Sequence, residues 1–298
     1  MQRIAAWLLT AGLASVAVAS EPAPPVQSVS EIIAKNIAAR GGLDAWRHIQ
    51  TMVWVGHIET AHAPAAKLPF ILDQKRPNKT RFEITVQNQR ALRLFDGSEG
   101  WKTRPSANGQ PEWQAFTGEE LRYAHDGPGL DGLLMDAADR GLAIRLDGVA
   151  TVDGNAAYQL NVQRPSGGSE RVWIDAQTFL DIKSERTART AAGQAATATV
   201  VYRHYQTLEG VQMPMIMETG TVSASASAND ATDRMVIDQV VVNPPLEDAL
   251  FAKPQVPGQH RGVRVDTRQA ALPARSTAVS PFPHPAEPLL EPVLEPAH

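Results

Sequence analysis

The sequence predicts an α+β protein built on one large antiparallel β-sheet with a few helices. Stretches of alternating apolar and polar residues recur about every ten residues along most of the chain, with turn-forming residues between them. Such spacing is typical of a meandering antiparallel sheet. Segments with helical spacing and capping residues occur in only a few places, so the helices are expected to accompany the sheet rather than to alternate with its strands.

Composition limits the classes of function. The chain has 298 residues, 43% of them hydrophobic, which is enough for one large domain or two smaller ones. The net charge of −4 provides no basic excess, so no nucleic-acid partner is expected. The absence of cysteine excludes disulfides, thiol catalysis and cysteine metal sites.

The N-terminus predicts export. Arg3 precedes an apolar run from Ile4 to Val16, and Ala17-Val18-Ala19 fits a signal-peptidase site. The run is shorter than the roughly 20 residues that a membrane span needs, although an uncleaved anchor helix is the alternative. We expect a signal peptide at residues 1–19, a periplasmic location and no transmembrane segment in the mature chain.

The first half of the chain predicts two short helices followed by a meander. Ser28 and Glu31 have capping-box spacing, Gly41-Gly42 ends that helix, and a second short helix runs from Leu43 to Ile49. The predicted strands are Thr51–Thr60, Leu68–Gln74, the two strands around Phe82 and Leu92, and one that opens at Gly100-Trp101. In this meander Phe82, Ile84, Leu92 and Leu94 are expected to form one apolar face.

The second half predicts two more helices and then strands. Thr117 caps a helix that ends near Asp126, and Leu130–Arg140 is predicted to be a further helix with Leu133 and Leu134 on its apolar face. The predicted strands that follow are Leu142–Val152, Ala156–Gln163, Glu170–Asp175, Phe179–Arg186, Thr197–Thr207, Val211–Thr219, Val222–Ala226 and Met235–Val242, with a short terminal helix at Leu246–Leu250.

The C-terminal segment differs in composition. Residues 253–298 hold nine of the 22 prolines and one aromatic residue, Phe282. Such a segment cannot bury enough apolar area to offset its ordering entropy. We therefore predict a folded domain at residues 20–252 and a proline-rich, disordered tail at 253–298.

Motifs that carry chemistry are scarce. The sequence has no G-x-S-x-G nucleophile elbow, no phosphate-binding loop and no histidine pair with zinc-ligand spacing. Met213, Met215 and Met217 would share one face of a strand, which suits either a surface for variable apolar shapes or ordinary core filling. A non-catalytic protein without metal or cofactor is expected.

Four short motifs resemble one family. Lys75-Arg76-Pro77-Asn78 precedes a strand, and D-G-x-x-x-W follows at Asp96–Trp101. A strand–turn–strand covers Val172 to Leu180, and Asn243-Pro244-Pro245-Leu246 leads to Phe251. In this order, over residues 28–252, the chain resembles the lipoprotein-carrier (LolA/LolB-like) superfamily. The resemblance implies an open, strongly curved antiparallel sheet, a half-barrel, wrapped around helices with an apolar cavity between them.

The resemblance also implies a function and a site. It implies a periplasmic carrier or binding protein for an acyl chain, lipid or lipoprotein, with an arginine at position 76 that bonds helix carbonyls and holds a lid over the empty cavity. Residues expected at the ligand, by face and type, are Trp54, Phe70, Leu72, Arg76, Phe82, Ile84, Leu92, Leu94, Trp101, Leu133 and Leu134. An envelope protein-interaction or sensor module on the same fold, or a hydrolase, remains an alternative.

Overall fold

The computed structural model describes residues 27–60, 67–86, 89–104, 112–189, 195–223 and 233–253. The predicted signal peptide, and the predicted tail beyond residue 253, lie outside the described residues. The helices are α1 (Val29–Ala39), α2 (Leu43–His48), α3 (Gly118–His125) and a one-turn 3₁₀ helix (Asp248–Leu250). The strands are β1 (Thr51–Glu59), β2 (Lys67–Lys75), β3 (Lys79–Val86), β4 (Gln89–Phe95), β5 (Gly100–Arg104), β6 (Glu112–Ala115), β7 (Ala143–Val152), β8 (Asn155–Gln163), β9 (Ser169–Asp175), β10 (Asp181–Arg189), β11 (Ala195–Leu208), β12 (Val211–Ser223) and β13 (Asp233–Val242).

The described strands form one open antiparallel sheet of 13 strands in the order β6-β5-β4-β3-β2-β1-β13-β12-β11-β10-β9-β8-β7. Strand β1 pairs with β13, so the first and last strands lie together in the middle. The two edge strands, β6 and β7, are consecutive in the chain. The predicted fold class, a large open antiparallel sheet with a few helices, is confirmed. None of the described helices is both long and apolar enough to cross a membrane.

The chain between the two edge strands crosses one face of the sheet, which we call the inner face. It consists of α3 followed by residues 126–142. We call residues 126–142 the plug segment. A capping box of Thr117 and Glu120 begins α3, as predicted. The buried carboxylate of Glu120 also accepts a hydrogen bond from Arg93 on β4 at 2.9 Å and pairs with Lys102 on β5 at 3.0 Å. These bonds hold the start of α3 against the inner face.

The plug segment is not the helix that the sequence predicts over Leu130–Arg140. Its backbone consists mainly of turns, with left-handed φ angles at Gly129, Gly132 and Asp136. The carbonyl of Asp131 accepts a hydrogen bond from Arg40 at 2.6 Å, and the carbonyl of Gly132 accepts one from Arg140 at 3.3 Å. Arginine side chains therefore donate to carbonyls that, in a helix, would accept from backbone N–H groups.

The inner face carries three apolar clusters. Near β1–β3 and β12–β13 the buried members are Ile58, Leu68, Phe70, Leu72, Phe82, Ile84, Met215, Met217, Met235 and Ile237, which we call the central cluster. A second cluster joins Ile32 of α1 and Leu134 of the plug segment to β8 and β9, and a third joins Trp46 of α2 and Met135 to Met52 and Met213. The predicted methionine row on β12 is confirmed, since Met213, Met215 and Met217 all face this core.

The outer face is covered in the middle by the chain after β13. Phe251 is completely buried and packs with Leu246 and Val53. Lys75 and Lys79 both pair with Asp248, and their hydrogen bonds hold the pKa of this carboxyl at about 2. The predicted helix Leu246–Leu250 is only the 3₁₀ turn Asp248–Leu250, which begins after the extended residue Glu247.

Two other predictions need correction. The predicted break between Val211–Thr219 and Val222–Ala226 does not exist, because β12 runs through Gly220 while paired with β11 up to Ser223. Residues 224–226 lie outside the described part of the chain. The continuous pairing with the long strand β11 overrides the local weakness that glycine introduces.

The single apolar face predicted for the meander is also wrong. Strand register places Phe82 opposite Arg93 and Ile84 opposite Ala91, whereas Leu92 lies opposite Glu83 and Leu94 opposite Arg81. Residues directly opposite each other share a face, so Leu92 and Leu94, together with Trp101 beside Leu94, lie on the outer face. On the inner side of β4, Arg93 bonds to Glu120 of α3 and lies between Ala91 and Phe95.

Candidate binding site

The turn between β2 and β3 joins three separate parts of the molecule. Lys75 donates to the carbonyl of Leu246 at 2.7 Å, which ties the turn to the C-terminal segment. Asn78 donates to the carbonyl of Ala124 at 2.8 Å, at the end of α3. Arg76 lies between them and contacts α2 and the plug segment. The motif Lys75–Asn78 thus contacts elements on both faces of the sheet.

Arg76 makes the most extensive of these contacts. Its Nε donates to the carbonyl of Ile49 at 2.7 Å, and its Nη2 donates to the carbonyl of Trp46 at 2.8 Å, at the C-terminal end of α2. The same guanidinium forms a two-pronged pair with the carboxylate of Asp131, with Nη1 to Oδ2 at 2.6 Å. This hydrogen bonding to Asp131 raises the pKa of Arg76. One planar side chain therefore links strand, helix and plug segment.

Three more arginines hold the plug segment. Arg40, at the end of α1, stacks over the Trp46 ring at 4.7 Å and bonds the carbonyl of Asp131. Arg47 pairs with Asp136 at 2.8 Å. Arg140 donates to the carbonyl of Gly127 at 3.0 Å, inside the segment itself. Gly132 has a left-handed φ of +89°, which favours glycine, and a Cβ there would lie 2.4 Å from the Arg40 guanidinium.

A cavity of about 490 Å³ lies between α3 and the inner face of β9–β13. Its floor is largely apolar and is formed by Ala198, Val200, Tyr202, Met217 and Met235. Met217 and Met235 also belong to the central cluster, so the floor is continuous with the main core. The floor is therefore an apolar extension of the core, and α3 and the start of the plug segment bound the cavity above it.

The opposite wall of the cavity is polar. It is formed by one face of α3, by Gly127-Pro128 and by the turn that joins β8 to β9, and its ionisable members are Glu119, Arg122, Tyr123, Asp126 and Arg164. Two further charged residues, Glu170 on β9 and Arg186 on β10, line the cavity from the sheet. Arg164 donates to Glu170 at 2.6 Å, and Ser166 donates to Asp126 at 2.8 Å. Arg186 lies over the ring of Tyr123 at 5.2 Å. A ligand would thus meet apolar atoms on one side and charged groups on the other.

Burial affects the titration of groups around the cavity. It raises the pKa of Tyr202 to about 12, and the charge of Glu170 adds to that shift. Burial also lowers the pKa of Arg140, and repulsion from Arg164 lowers it further. These directions are those of a poorly hydrated interior, where a ligand group would interact strongly with the charges present.

Comparison with known proteins addresses the fold. No family model and no curated protein matches the chain. Among solved structures, a DUF1329 family protein from Desulfovibrio piger is similar, with a TM-score of 0.50 and 12% identity, over 75% of this chain and 97% of that one. A LolA superfamily protein from Nitrosomonas europaea gives a TM-score of 0.48 at 16% identity, over 76% of this chain and 99% of the other. A domain assigned to outer membrane lipoprotein sorting, from Vibrio parahaemolyticus, gives 0.47 at 13% identity, over 74% and 94%.

The fold is similar to that of the DUF1329 family protein. At these identities the likeness concerns the fold alone and assigns no ligand. The carbonyl contacts expected of Arg76 are present, because the guanidinium bonds the carbonyls of Trp46 and Ile49 at the end of α2. Whether Arg76 holds a lid that opens for a ligand stays a prediction.

The other predicted site residues lie in three different places. Trp54, Phe70, Leu72, Phe82 and Ile84 pack together in or against the central cluster. Leu133 and Leu134 pack against β8 and β9 from the plug segment. Leu92, Leu94 and Trp101 lie on the outer face. None of the eleven is among the described residues that line the cavity, and their contact with a ligand stays a prediction.

Sequence analysis missed the residues that make the cavity. Its floor comes from strands near the C-terminus, and its polar wall comes from the turn at residues 164–170. The sequence R-P-S-G-G-S-E of that turn predicts a connection between strands, but nothing in it predicts that the turn faces α3. The partner of Arg76, Asp131, was likewise hidden inside a predicted helix.

Proposed function

We propose that the chain is a non-catalytic binding or carrier protein of the periplasm that holds an acyl chain of a lipid or lipoprotein. The observation that carries this proposal is the cavity of about 490 Å³, with its apolar floor, between the sheet and α3. Sites for small molecules typically measure about 300–1,000 Å³, so the cavity has room for an acyl chain. The periplasmic location rests on the N-terminal signal sequence.

Burial of apolar area would provide the affinity. Each CH₂ group transferred from water contributes about 0.8 kcal/mol, so ten of them give about 8 kcal/mol before the entropic costs of binding. The floor joins the central cluster, which holds Phe70, Phe82 and Ile84. If the plug segment shifts, a longer acyl chain would extend from the cavity into the central cluster. The core residues predicted at the ligand would then contact it.

Filling the cavity should weaken binding. Ala198 is buried on the cavity floor, so Ala198→Phe places a ring where the acyl chain would lie. We expect the affinity for a fluorescent fatty acid to fall at least about tenfold, which corresponds to about 1.4 kcal/mol. Fluorescence titration measures it, and thermal melting reports the overpacking cost of about 1–3 kcal/mol.

Thr199→Phe is the matched control. Thr199 is the next residue on β11, so its side chain points to the outer face. This variant adds a ring to the same strand without entering the cavity and should bind the probe like the wild type. An Ala198→Phe variant that stays folded and keeps wild-type affinity would show that the probe binds elsewhere.

A further inference from the structure

The polar wall of the cavity holds one arginine that differs from the others. Arg164 follows β8, its side chain is 9% exposed, and it lines the cavity. Its Nη2 donates to Glu170 at 2.6 Å. Its Nε is buried and has no hydrogen-bond partner among the residues that the structure describes. An unpaired buried N–H is rare in proteins because it loses its bond to water without gaining another.

The other arginines of the cavity do not share this property. Arg122 is exposed, and Arg186 lies over the ring of Tyr123. The charged side chains that line the cavity are balanced in number, with Arg122, Arg164 and Arg186 against Glu119, Asp126 and Glu170. Arg164 therefore stands out by its burial and its unpaired Nε, and not by a net positive charge of the cavity.

We infer that Arg164 binds the anionic head of an amphiphile whose acyl chain lies on the apolar floor of the cavity. This inference rests on the proposed function and names its ligand class: an acyl compound with a carboxylate or phosphate head. A guanidinium has five N–H donors in one plane, so Arg164 can keep Glu170 on Nη2 while its remaining N–H groups donate to ligand oxygens. The floor residues Val200 and Met217 then contact the chain.

The test compares a fatty acid with the alcohol of the same chain length, each measured by displacement of a fluorescent acyl probe. A charge-assisted hydrogen bond corresponds to roughly a 10- to 100-fold preference, so the wild type should favour the fatty acid by about that factor. Inorganic phosphate alone should not displace the probe. Displacement by phosphate at matched concentration would overturn the assignment to an amphiphile and indicate a site for free anions.

The decisive variant is Arg164→Gln combined with Glu170→Gln, which removes both charges and leaves neither one unpaired. The preference for the fatty acid should fall to about onefold, while the affinity for the alcohol stays within about threefold of the wild type. Retained alcohol binding shows that the variant is folded. Arg145→Gln is the control, because Arg145 lies on the edge strand β7 with a 75% exposed side chain and should keep the preference.

Three further results would overturn the inference. If the double variant keeps the preference of the wild type, or if the wild type binds acid and alcohol equally, Arg164 does not bind the head group. In both cases the proposed function, acyl binding in the cavity, still holds. If neither compound displaces the probe from the wild type, the proposed function fails, and the inference fails with it.

Discussion

Replacing Arg76 with leucine should lower the melting temperature of the ligand-free protein by about 4–12 °C, which corresponds to about 2–3 kcal/mol for a domain of this size. Leucine keeps apolar bulk but removes the side-chain donor to the carbonyl of Ile49 and one of the two donors to the carbonyl of Trp46, which keeps the N–H of Ile49. It also leaves the carboxylate of Asp131, which is 15% exposed, without its main charge partner. Removing one member of such a pair costs more than the pair itself contributes.

The same change should strengthen acyl binding. If the plug segment must move for a ligand to enter, the contacts of Arg76 favour the closed, empty state. Weakening that state raises the apparent affinity by up to the same free energy, so the affinity for a fluorescent fatty acid should rise about tenfold or more. Differential scanning fluorimetry and probe titration measure the two effects on one preparation.

Arg145→Leu is the control for Arg76→Leu. Arg145 contacts only Asp147 in the described structure and is mostly exposed, so its loss should change neither melting nor binding appreciably. A fall in melting temperature with unchanged affinity would mean that Arg76 is purely structural. Unchanged melting would mean that its contacts contribute nothing, contrary to the role assigned here.

The second large effect is expected at Phe251, which sets the C-terminal end of the folded domain. Its ring is completely buried against Val53 and Leu246 on the outer face. Phe251→Ala should destabilise the protein by about 3–5 kcal/mol through lost burial and the cavity left behind. Equilibrium urea unfolding measures this, and Phe251→Leu, which keeps much of the volume, should cost clearly less.

Truncation after Lys253 should, by contrast, have little effect. The predicted tail at 253–298 begins just two residues beyond Phe251, and its proline-rich composition predicts no packing. We expect the truncated chain to unfold within about 1 kcal/mol of the full chain. A truncated chain as unstable as Phe251→Ala would place the end of the domain further along and would contradict the predicted boundary.

Local features of the fold could be predicted from the sequence. The capping box at Ser28 and Glu31 predicts the start of α1, and the alternation along β1 and β2 predicts strands within one or two residues of those observed. These features depend on neighbouring residues, which the sequence shows directly. The pairing of β1 with β13 depends on residues about 180 positions apart and needs the fold itself.

The candidate site depends on such distant contacts, so most of its residues could not be predicted from the sequence. Which face Leu92 occupies depends on the register between β3 and β4, where a shift of one residue reverses every side chain. The plug segment has helical spacing, but Arg40 and Arg140 bind its carbonyls from outside or across the segment. The bonds of Arg76 to helix carbonyls could be predicted, because they follow from the resemblance of the Lys75–Asn78 motif and do not depend on strand register.

Native mass spectrometry of the exported protein, purified without detergent, tests the central claim most directly. We expect a fraction of the protein to carry a bound mass equal to that of an acyl lipid, and that mass should be absent from Ala198→Phe, whose cavity is filled. Organic extraction and lipid mass spectrometry then identify the compound. A protein that shows only its bare mass, or a stoichiometric protein partner in place of lipid, would contradict an acyl-binding cavity and favour the sensor alternative.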